Sequence, residues 1–160
     1  MRRKDREITA FPEILEIVRR CKVCRLAMLD GERPYLVPLN FGFELCGEKL
    51  VLYFHCAKEG KKLTLLHKNP GAAFEMDCGH RLIEGDTPCR YGFSFYSVIG
   101  SGTVSFVEDP EEKKKALALL MKHQTGKDFA FDEAMCKAVT VLRMDVEELC
   151  GKARPHPSGL

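Results

Sequence analysis

The 160-residue sequence carries almost no excess of charge, because 25 Lys and Arg residues face 23 Asp and Glu residues. Nucleic-acid-binding domains usually carry a clustered basic excess, so we expect no nucleic-acid partner. The sequence also lacks an apolar run of the ~18–20 residues that a membrane helix needs. Arg2 to Asp5 lead into a polar segment that has no apolar stretch of the kind found in secretory signals. We therefore expect a cytoplasmic protein with no membrane partner.

The fingerprints of several enzyme classes are missing as well. The sequence has no Walker phosphate-loop spacing, no G-x-G-x-x-G after a predicted strand and no H-E-x-x-H. It also shows no Ser/His/Asp order and no paired-carboxylate pattern. Motif spacing alone therefore names no reaction.

What is present is enough apolar sequence for one core. Hydrophobic residues make up 45% of the chain and charged residues 30%, a balance that predicts a folded domain. We predict a single domain over residues 1–150. The remaining residues, 151–160, contain Pro155, Pro157 and Gly159 and are predicted to form a loose tail.

Turn residues and apolar spacing predict a mainly β protein with peripheral helices. The predicted strands cover residues 24–29, 35–43, 50–55, 71–77, 93–107 and 138–145. The predicted helices cover residues 1–25 with Thr9 as N-cap, residues 58–69, the segment from Asp109-Pro110 to Thr125-Gly126, and one or two turns within 131–137. Residues 78–91 are predicted as a loop that carries the start of the next strand. Short strands joined by tight turns favour an antiparallel sheet or barrel.

Two strands contain residues that interrupt regular pairing. Pro38 lies inside the second predicted strand, which predicts an edge, a bulge or an irregular backbone there. Gly100 and Gly102 lie inside the strand over 93–107 and predict a bulge or the close approach of another backbone or a ligand.

Three segments could bind a ligand. In His55-Cys56-Ala57-Lys58-Glu59-Gly60-Lys61-Lys62, a strand ends, a glycine turns the chain and two lysines open a helix, an arrangement suited to a phosphate. Taken alone, this pattern is more often a solvated lysine pair. Residues 35–40 could hydrogen-bond a flat heterocycle through unpaired backbone groups, and residues 96–102 could line a slot for a ring. The alternatives are an edge strand with a bulge and an ordinary core strand.

The eight cysteines lie at positions 21, 24, 46, 56, 78, 89, 136 and 150. In the expected reducing compartment they are predicted to be free thiols, some of them buried. Cys21 and Cys24 form a C-x-x-C pair, which supplies only two metal ligands. His80, with Cys78 and Cys89, fits no standard zinc spacing, so no metal site is predicted. A small zinc or thiol-redox module remains an alternative.

Taken together, several segments resemble the pyridoxamine 5'-phosphate oxidase-like flavin-binding split barrels. The similarity is greatest to the branch that contains the nitroimidazole-resistance (Nim) flavoproteins. The matching stretches, in family order over almost the whole chain, are DGERPYLVPLNFGFE, LYFHCAKEGKKLTLLHKNP, FYSVIGSGTVSFVEDPEEKKKALALLMKH and VLRMDVEELCGK. The most specific is H-x-A-x-x-G-K-K followed by N-P, and it reverses the interpretation of the lysine pair from its local pattern.

The resemblance implies a homodimer of six-stranded antiparallel split β-barrels with FMN at the subunit interface. Lys61 and Lys62 match the basic pair that holds the FMN phosphate in the family. Val37, Pro38, Leu39 and Asn40 match the strand that contacts the flavin ring, largely through its backbone. Phe54 and His55 match the strand end beside the ribityl chain and ring. Tyr96, Ser97 and Ile99 match the strand that reaches the flavin of the other subunit.

The resemblance also predicts the kind of chemistry. It implies an FMN-dependent oxidoreductase acting on a small-molecule substrate, most simply a reductase of nitroaromatic or other electron-poor compounds. His55 is the candidate catalytic residue, as a proton donor beside the ring. The tail GKARPHPSGL does not resemble the Arg-rich segment that grips substrate phosphate in true pyridoxamine phosphate oxidases. A non-catalytic flavin or haem binder on the same fold is the alternative.

Overall fold

The computed structural model describes residues 3–157. Its strands are β1 (Glu7–Ile8), β2 (Val23–Asp30), β3 (Arg33–Cys46), β4 (Lys49–Cys56), β5 (Gly71–Ile83), β6 (Gly92–Phe106) and β7 (Thr140–Arg154). Its α-helices are α1 (Phe11–Arg20), α2 (Lys61–Lys68), α3 (Pro110–Thr125) and α4 (Glu133–Lys137), with short 3-10 helices at Lys4–Arg6 and Pro88–Arg90. Within residues 3–157, no helix has the length and apolar character required to cross a membrane.

Six of the strands close into an antiparallel barrel. They follow the order β7-β4-β3-β2-β5-β6, and pairing of β6 with β7 closes the ring. Strand β1 adds two residues to β7, where Glu7 pairs with Lys152 and Ile8 with Gly151. The predicted six-stranded antiparallel barrel is therefore confirmed, with β1 as an addition.

The core follows from the alternation of side chains along each strand. In β4, Leu50, Leu52 and Phe54 point into the barrel and are buried, whereas Val51 and Tyr53 face α3 and α4 on the outside. Helix α1 buries its apolar side, residues Ile14, Leu15, Ile17 and Val18, in the barrel core. The molecule thus has a barrel core and a second apolar cluster between β4 and the late helices.

The amino-terminal prediction is partly wrong. Instead of one helix over residues 1–25, the described chain forms a 3-10 turn, strand β1 and a ten-residue helix that starts at Phe11. Ala10, not Thr9, is the N-cap, and Pro12 occupies the first turn. Residues 7 and 8 are extended because the edge of β7 is available to pair with them.

Two other boundaries differ from the sequence prediction. Much of the predicted loop over 78–91 is strand, since β5 continues to Ile83 and pairs with β6 through an irregularity between Cys78 and Arg81. Gly79 has φ +73° at that point, a conformation that glycine adopts without strain. The first residues of the predicted loose tail, 151–154, also belong to β7. Residues 158–160 of that tail lie outside the described part of the chain.

The predicted irregularity at Gly100 and Gly102 is confirmed. The β6–β7 register shifts between Ser101 and Gly102. A Cβ atom on Gly102 would lie 2.1 Å from the carbonyl oxygen of Asp145. Only glycine allows the two backbones to approach this closely.

Candidate functional site

Strand β3 changes its partner halfway along its length. Residues 33–40 pair with β2, and residues 41–46 pair with β4. Beyond Phe54, the end of β4 pairs only with β7 among the described residues. The barrel is therefore split between the first half of β3 and the end of β4, and the edge predicted at Pro38 lies in this split.

The four predicted ring-binding residues of β3 offer different groups to a ligand. Val37 and Leu39 pack against the barrel core, whereas Pro38 and Asn40 are exposed. The Asn40 amide nitrogen donates to the carbonyl oxygen of Lys22 at 3.0 Å and to Oε1 of Gln124 at 3.1 Å. Since an amide has two N–H donors, only its carbonyl oxygen is left to accept a bond. The backbone edge is thus the main polar surface here.

The lysine pair opens α2 beside the β2–β3 hairpin. Gly60 precedes the helix with φ +148°, and no side chain within residues 3–157 caps the first helical N–H groups. The Lys61 ammonium lies 2.6 Å from Oδ2 of Asp30 and 4.8 Å from the centre of the Tyr35 ring. Lys62 is half-buried. The positive end of a helix and two ammonium groups therefore adjoin the split, which suits a phosphate.

Of the two predicted residues at the end of β4, Phe54 and His55, only one has a side chain that a ligand outside the barrel can reach. Phe54 points into the barrel and is fully buried. His55 points outward and lines a pocket of about 150 Å³, together with Leu117, Leu120, Met121, Phe131, Met135 and Val139. A ligand outside the barrel can reach the His55 imidazole, but it can reach Phe54 only through its backbone.

The predicted residues of β6 lie apart from those of β3. Tyr96 is half-buried beneath the Arg20 guanidinium, which lies 4.4 Å from the ring centre, and Ile99 is 56% exposed on the outer face with Ser97. Strand register places Pro38 opposite Arg25, Arg25 opposite Glu75, and Glu75 opposite Ile99. Three strand spacings amount to ~14 Å. One chain therefore does not bring the β3 and β6 residues around a single ring.

An ion-pair cluster on this outer face was not predicted from the sequence. Nη1 of Arg25 lies 2.8 Å from a carboxylate oxygen of Glu75 and 2.7 Å from one of Asp77. The other Asp77 oxygen lies 2.9 Å from Nε2 of His80. The charges are visible in the sequence, but the pairing of β2 with β5 that brings them together is not.

The cysteines give no support to a zinc or thiol-redox module. Cys21 and Cys24 are buried, and burial raises the pKa of Cys24 to about 12 and that of Cys21 as well. Such thiols are unreactive because the thiolate is the nucleophile and the metal ligand. All eight cysteines are free, and residues 3–157 contain no group of three metal-ligating side chains that could hold an ion.

An antiparallel barrel that is split beside a helix N-terminus defines the split-barrel class of proteins. The chain belongs to the pyridoxamine 5'-phosphate oxidase family, whose sequence model matches residues 12–153. The family suggested by the sequence is thereby confirmed. No curated protein sequence matches the chain.

Solved structures support the same assignment. A proposed 5-nitroimidazole antibiotic resistance protein from Bacteroides thetaiotaomicron is 32% identical with a TM-score of 0.80, over 92% of this chain and 86% of that one. A FAD- and haem-binding protein from Mycobacterium smegmatis is 16% identical with a TM-score of 0.78, over 92% and 73% of the chains. The flavocytochrome Anf3 from Azotobacter vinelandii is 14% identical with a TM-score of 0.80, over 98% and 73%. The last two show the shared fold.

Proposed function

We propose that the protein is an FMN-dependent oxidoreductase that reduces nitroaromatic or other electron-poor small molecules. The observation that carries the proposal is the split itself. It places a backbone edge, residues 33–40, that no second strand in the described part of the chain pairs with, beside the start of α2 and its two lysines. The 32% identity to the proposed nitroimidazole-resistance protein supports this substrate class.

The residues present fit a flavin mononucleotide. The α2 N–H groups with Lys61 and Lys62 would hold the phosphate, and hydrogen bonding to Asp30 raises the pKa of Lys61, which keeps its ammonium charged. The edge at Val37 to Asn40 would hydrogen-bond the polar rim of the ring system. When bound, FMN supplies the hydride and electron chemistry, and the protein supplies binding and orientation.

His55 would donate the proton that accompanies reduction. Its imidazole is accessible from outside the barrel at the end of β4, in a pocket whose other lining residues are apolar. Imidazole exchanges protons near neutral pH and serves as a general acid when it lies within hydrogen-bond reach of the acceptor atom. The surrounding apolar side chains would restrict competing water.

The proposal includes a homodimer with the flavin at the subunit interface. The outer face of the barrel carries exposed apolar side chains in β2, β3 and β6, namely Leu29 (52%), Leu36 (54%) and Ile99 (56%). Within one chain, three strand spacings separate Pro38 from Ile99 by ~14 Å. A dimer explains this separation, because Ile99 would then contact the flavin bound by the partner subunit.

Sedimentation velocity tests the dimer. Leu36→Asp with Ile99→Asp is expected to give monomers and to reduce flavin retention, because charges would be buried at the interface. Leu45→Asp is the matched control, since Leu45 is also apolar and 42% exposed but lies at the β3–β4 turn. A wild-type monomer that retains flavin would overturn the dimer and leave the cofactor proposal intact.

The visible spectrum of the purified protein, with mass identification of any released molecule, tests the cofactor. Twin flavin bands and released FMN are expected. Lys61→Ala with Lys62→Ala is expected to weaken FMN binding at least about 100-fold, since each charged contact contributes roughly 1.5–3 kcal/mol. Lys68→Ala with Lys127→Ala removes the same charge elsewhere and should leave FMN binding unchanged. A Soret band without flavin would favour the haem-binding alternative, and unchanged FMN affinity in the first variant would refute the phosphate assignment.

A further inference from the structure

A second groove lies on the other side of the α2 amino terminus. Its volume is about 560 Å³, within the range of small-molecule sites. None of the predicted flavin-site residues lines it, but it shares Val139 with the His55 pocket. The groove is therefore a separate feature that adjoins the candidate active site.

Three lysines from three different elements line this groove. Lys58 lies in the β4–α2 connection, Lys113 in α3 and Lys137 at the end of α4. Lys137 pairs with Glu133 at 3.3 Å, whereas Lys58 and Lys113 form no ion pair among residues 3–157. Lys113 is also half-buried. Two ammonium groups without acidic partners on one concave surface favour an anionic ligand.

The groove also has a flat aromatic wall. The rings of His67 and Phe106 stack with their centroids 4.0 Å apart and their planes 4° apart. Both residues line the groove, next to the apolar side chains of Leu63, Val107 and Val139. Such a wall accepts a planar ring by stacking or edge contact.

Two carboxylates distinguish this groove from a simple polyanion site. Glu59 and Glu108 line it together with the three lysines. Carboxylates repel phosphate but accept hydrogen bonds from hydroxyl and amino groups. The ligand must therefore combine negative charge, a planar ring and hydrogen-bond donors.

We infer that this groove binds a nucleoside phosphate. The lysines bind the phosphate, the His67–Phe106 wall contacts the base, and Glu59 and Glu108 accept bonds from the ribose hydroxyls or the base amino group. The bound group is either a free nucleotide or the adenylate half of a dinucleotide. This inference does not rest on the proposed FMN chemistry, because the two sets of residues are disjoint.

Isothermal titration of the full-length protein with ADP tests the inference. We expect saturable binding below about 1 mM, and binding at least about tenfold weaker for pyrophosphate, which lacks the ring and the ribose. Lys113→Glu with Lys137→Glu is expected to weaken ADP binding at least about tenfold. The matched control is Lys49→Glu with Lys127→Glu, which reverses two lysine charges outside the groove and should retain wild-type affinity. Circular dichroism establishes that each variant is folded, and Lys58→Gln with Lys113→Gln provides a milder pair.

Comparing FMN with FAD separates the two sources of the nucleotide. A loss of FAD affinity in the charge-reversed variant, with FMN affinity unchanged, identifies the adenylate half of a dinucleotide. A loss of ADP affinity alone identifies a free nucleotide. The inference is overturned if ADP shows no saturable binding, if pyrophosphate binds as tightly as ADP, or if the lysine variants bind ADP as the wild type does.

Discussion

The two halves of strand β3 lie in opposite environments. Residues 41–46 pair with β4 and lie beneath α3, where Phe41 is fully buried and a Cβ on Gly42 would lie 2.4 Å from the backbone nitrogen of Leu120. Among residues 3–157, residues 33–40 pair with β2 alone, and Leu36 is 54% exposed. The covered half fixes the position of the strand, and the open half presents its edge to a ligand.

Polar groups in the covered half have partners. The buried Tyr53 hydroxyl donates to Glu44 at 2.8 Å, and burial raises the pKa of Tyr53, so the hydroxyl remains a donor. Glu44 also pairs with Lys115 of α3, and Glu112 pairs with Arg143 at 2.9 Å. These bonds tie α3 to β3, β4 and β7. The covered half is therefore held by packing and polar contacts to α3, whereas the other half presents its edge to a ligand.

The largest expected effect is at His55, at the end of β4 that borders the split. His55→Ala should retain FMN but lower the turnover of a 5-nitroimidazole about 10²–10⁴-fold, the usual contribution of a general acid. Stopped-flow reoxidation of the reduced protein measures this rate. His80→Ala, which changes another exposed histidine, one that pairs with Asp77 of β5, is the control. Turnover equal to wild type in His55→Ala would remove this residue from the mechanism.

The second prediction concerns the covered half. Gly42→Ala forces its new methyl group against the α3 backbone and should lower the free energy of unfolding by about 1–3 kcal/mol. Leu36→Ala in the open half should change it by no more than about 0.5 kcal/mol, as is usual for a surface position. Urea denaturation of both variants, under conditions where the protein is monomeric, measures the difference. Equal losses would show that the two halves do not differ in stability as proposed.

The third prediction tests the polar network beneath α3. Tyr53→Phe removes the hydroxyl that bonds Glu44, and the expected loss is about 1–2 kcal/mol because a charged acceptor loses a buried donor. Lys115 still pairs with Glu44, which keeps the loss from being larger. Thermal unfolding of Tyr53→Phe measures this loss of stability. A variant as stable as the wild type would mean that Lys115 alone satisfies the carboxylate.

Much of this architecture could be predicted from local sequence. Turn residues and apolar spacing predicted the six strands of the barrel, and Pro38 predicted the irregular edge of β3. The extension of β5 to Ile83 could not be predicted, because a bulge at Gly79 keeps a polar, turn-like segment paired. The Arg25–Glu75–Asp77 cluster and the lysine groove depend on which strands and helices become neighbours. That information is not local in the sequence.

The smallest expected effect is a pH dependence of the covered half. The imidazole of His123 is partly buried at the end of α3. Its Nε2 lies 2.7 Å from the carbonyl oxygen of Cys21, and its ring contacts Phe41 and Phe43. Burial lowers the pKa of this imidazole below its ordinary value of about 6.5. Above that value both folded and unfolded chains are neutral at this site, and the full stability is present.

As the pH falls below about 6.5, the unfolded chain binds a proton at position 123 before the folded chain does, so the free energy of unfolding decreases. The decrease ends once the pH has passed through the lower, folded-state pKa. Urea denaturation between about pH 7.5 and 5 should therefore show a shallower slope for His123→Gln than for the wild type, since glutamine does not titrate. Parallel slopes would mean that other groups cause the pH dependence.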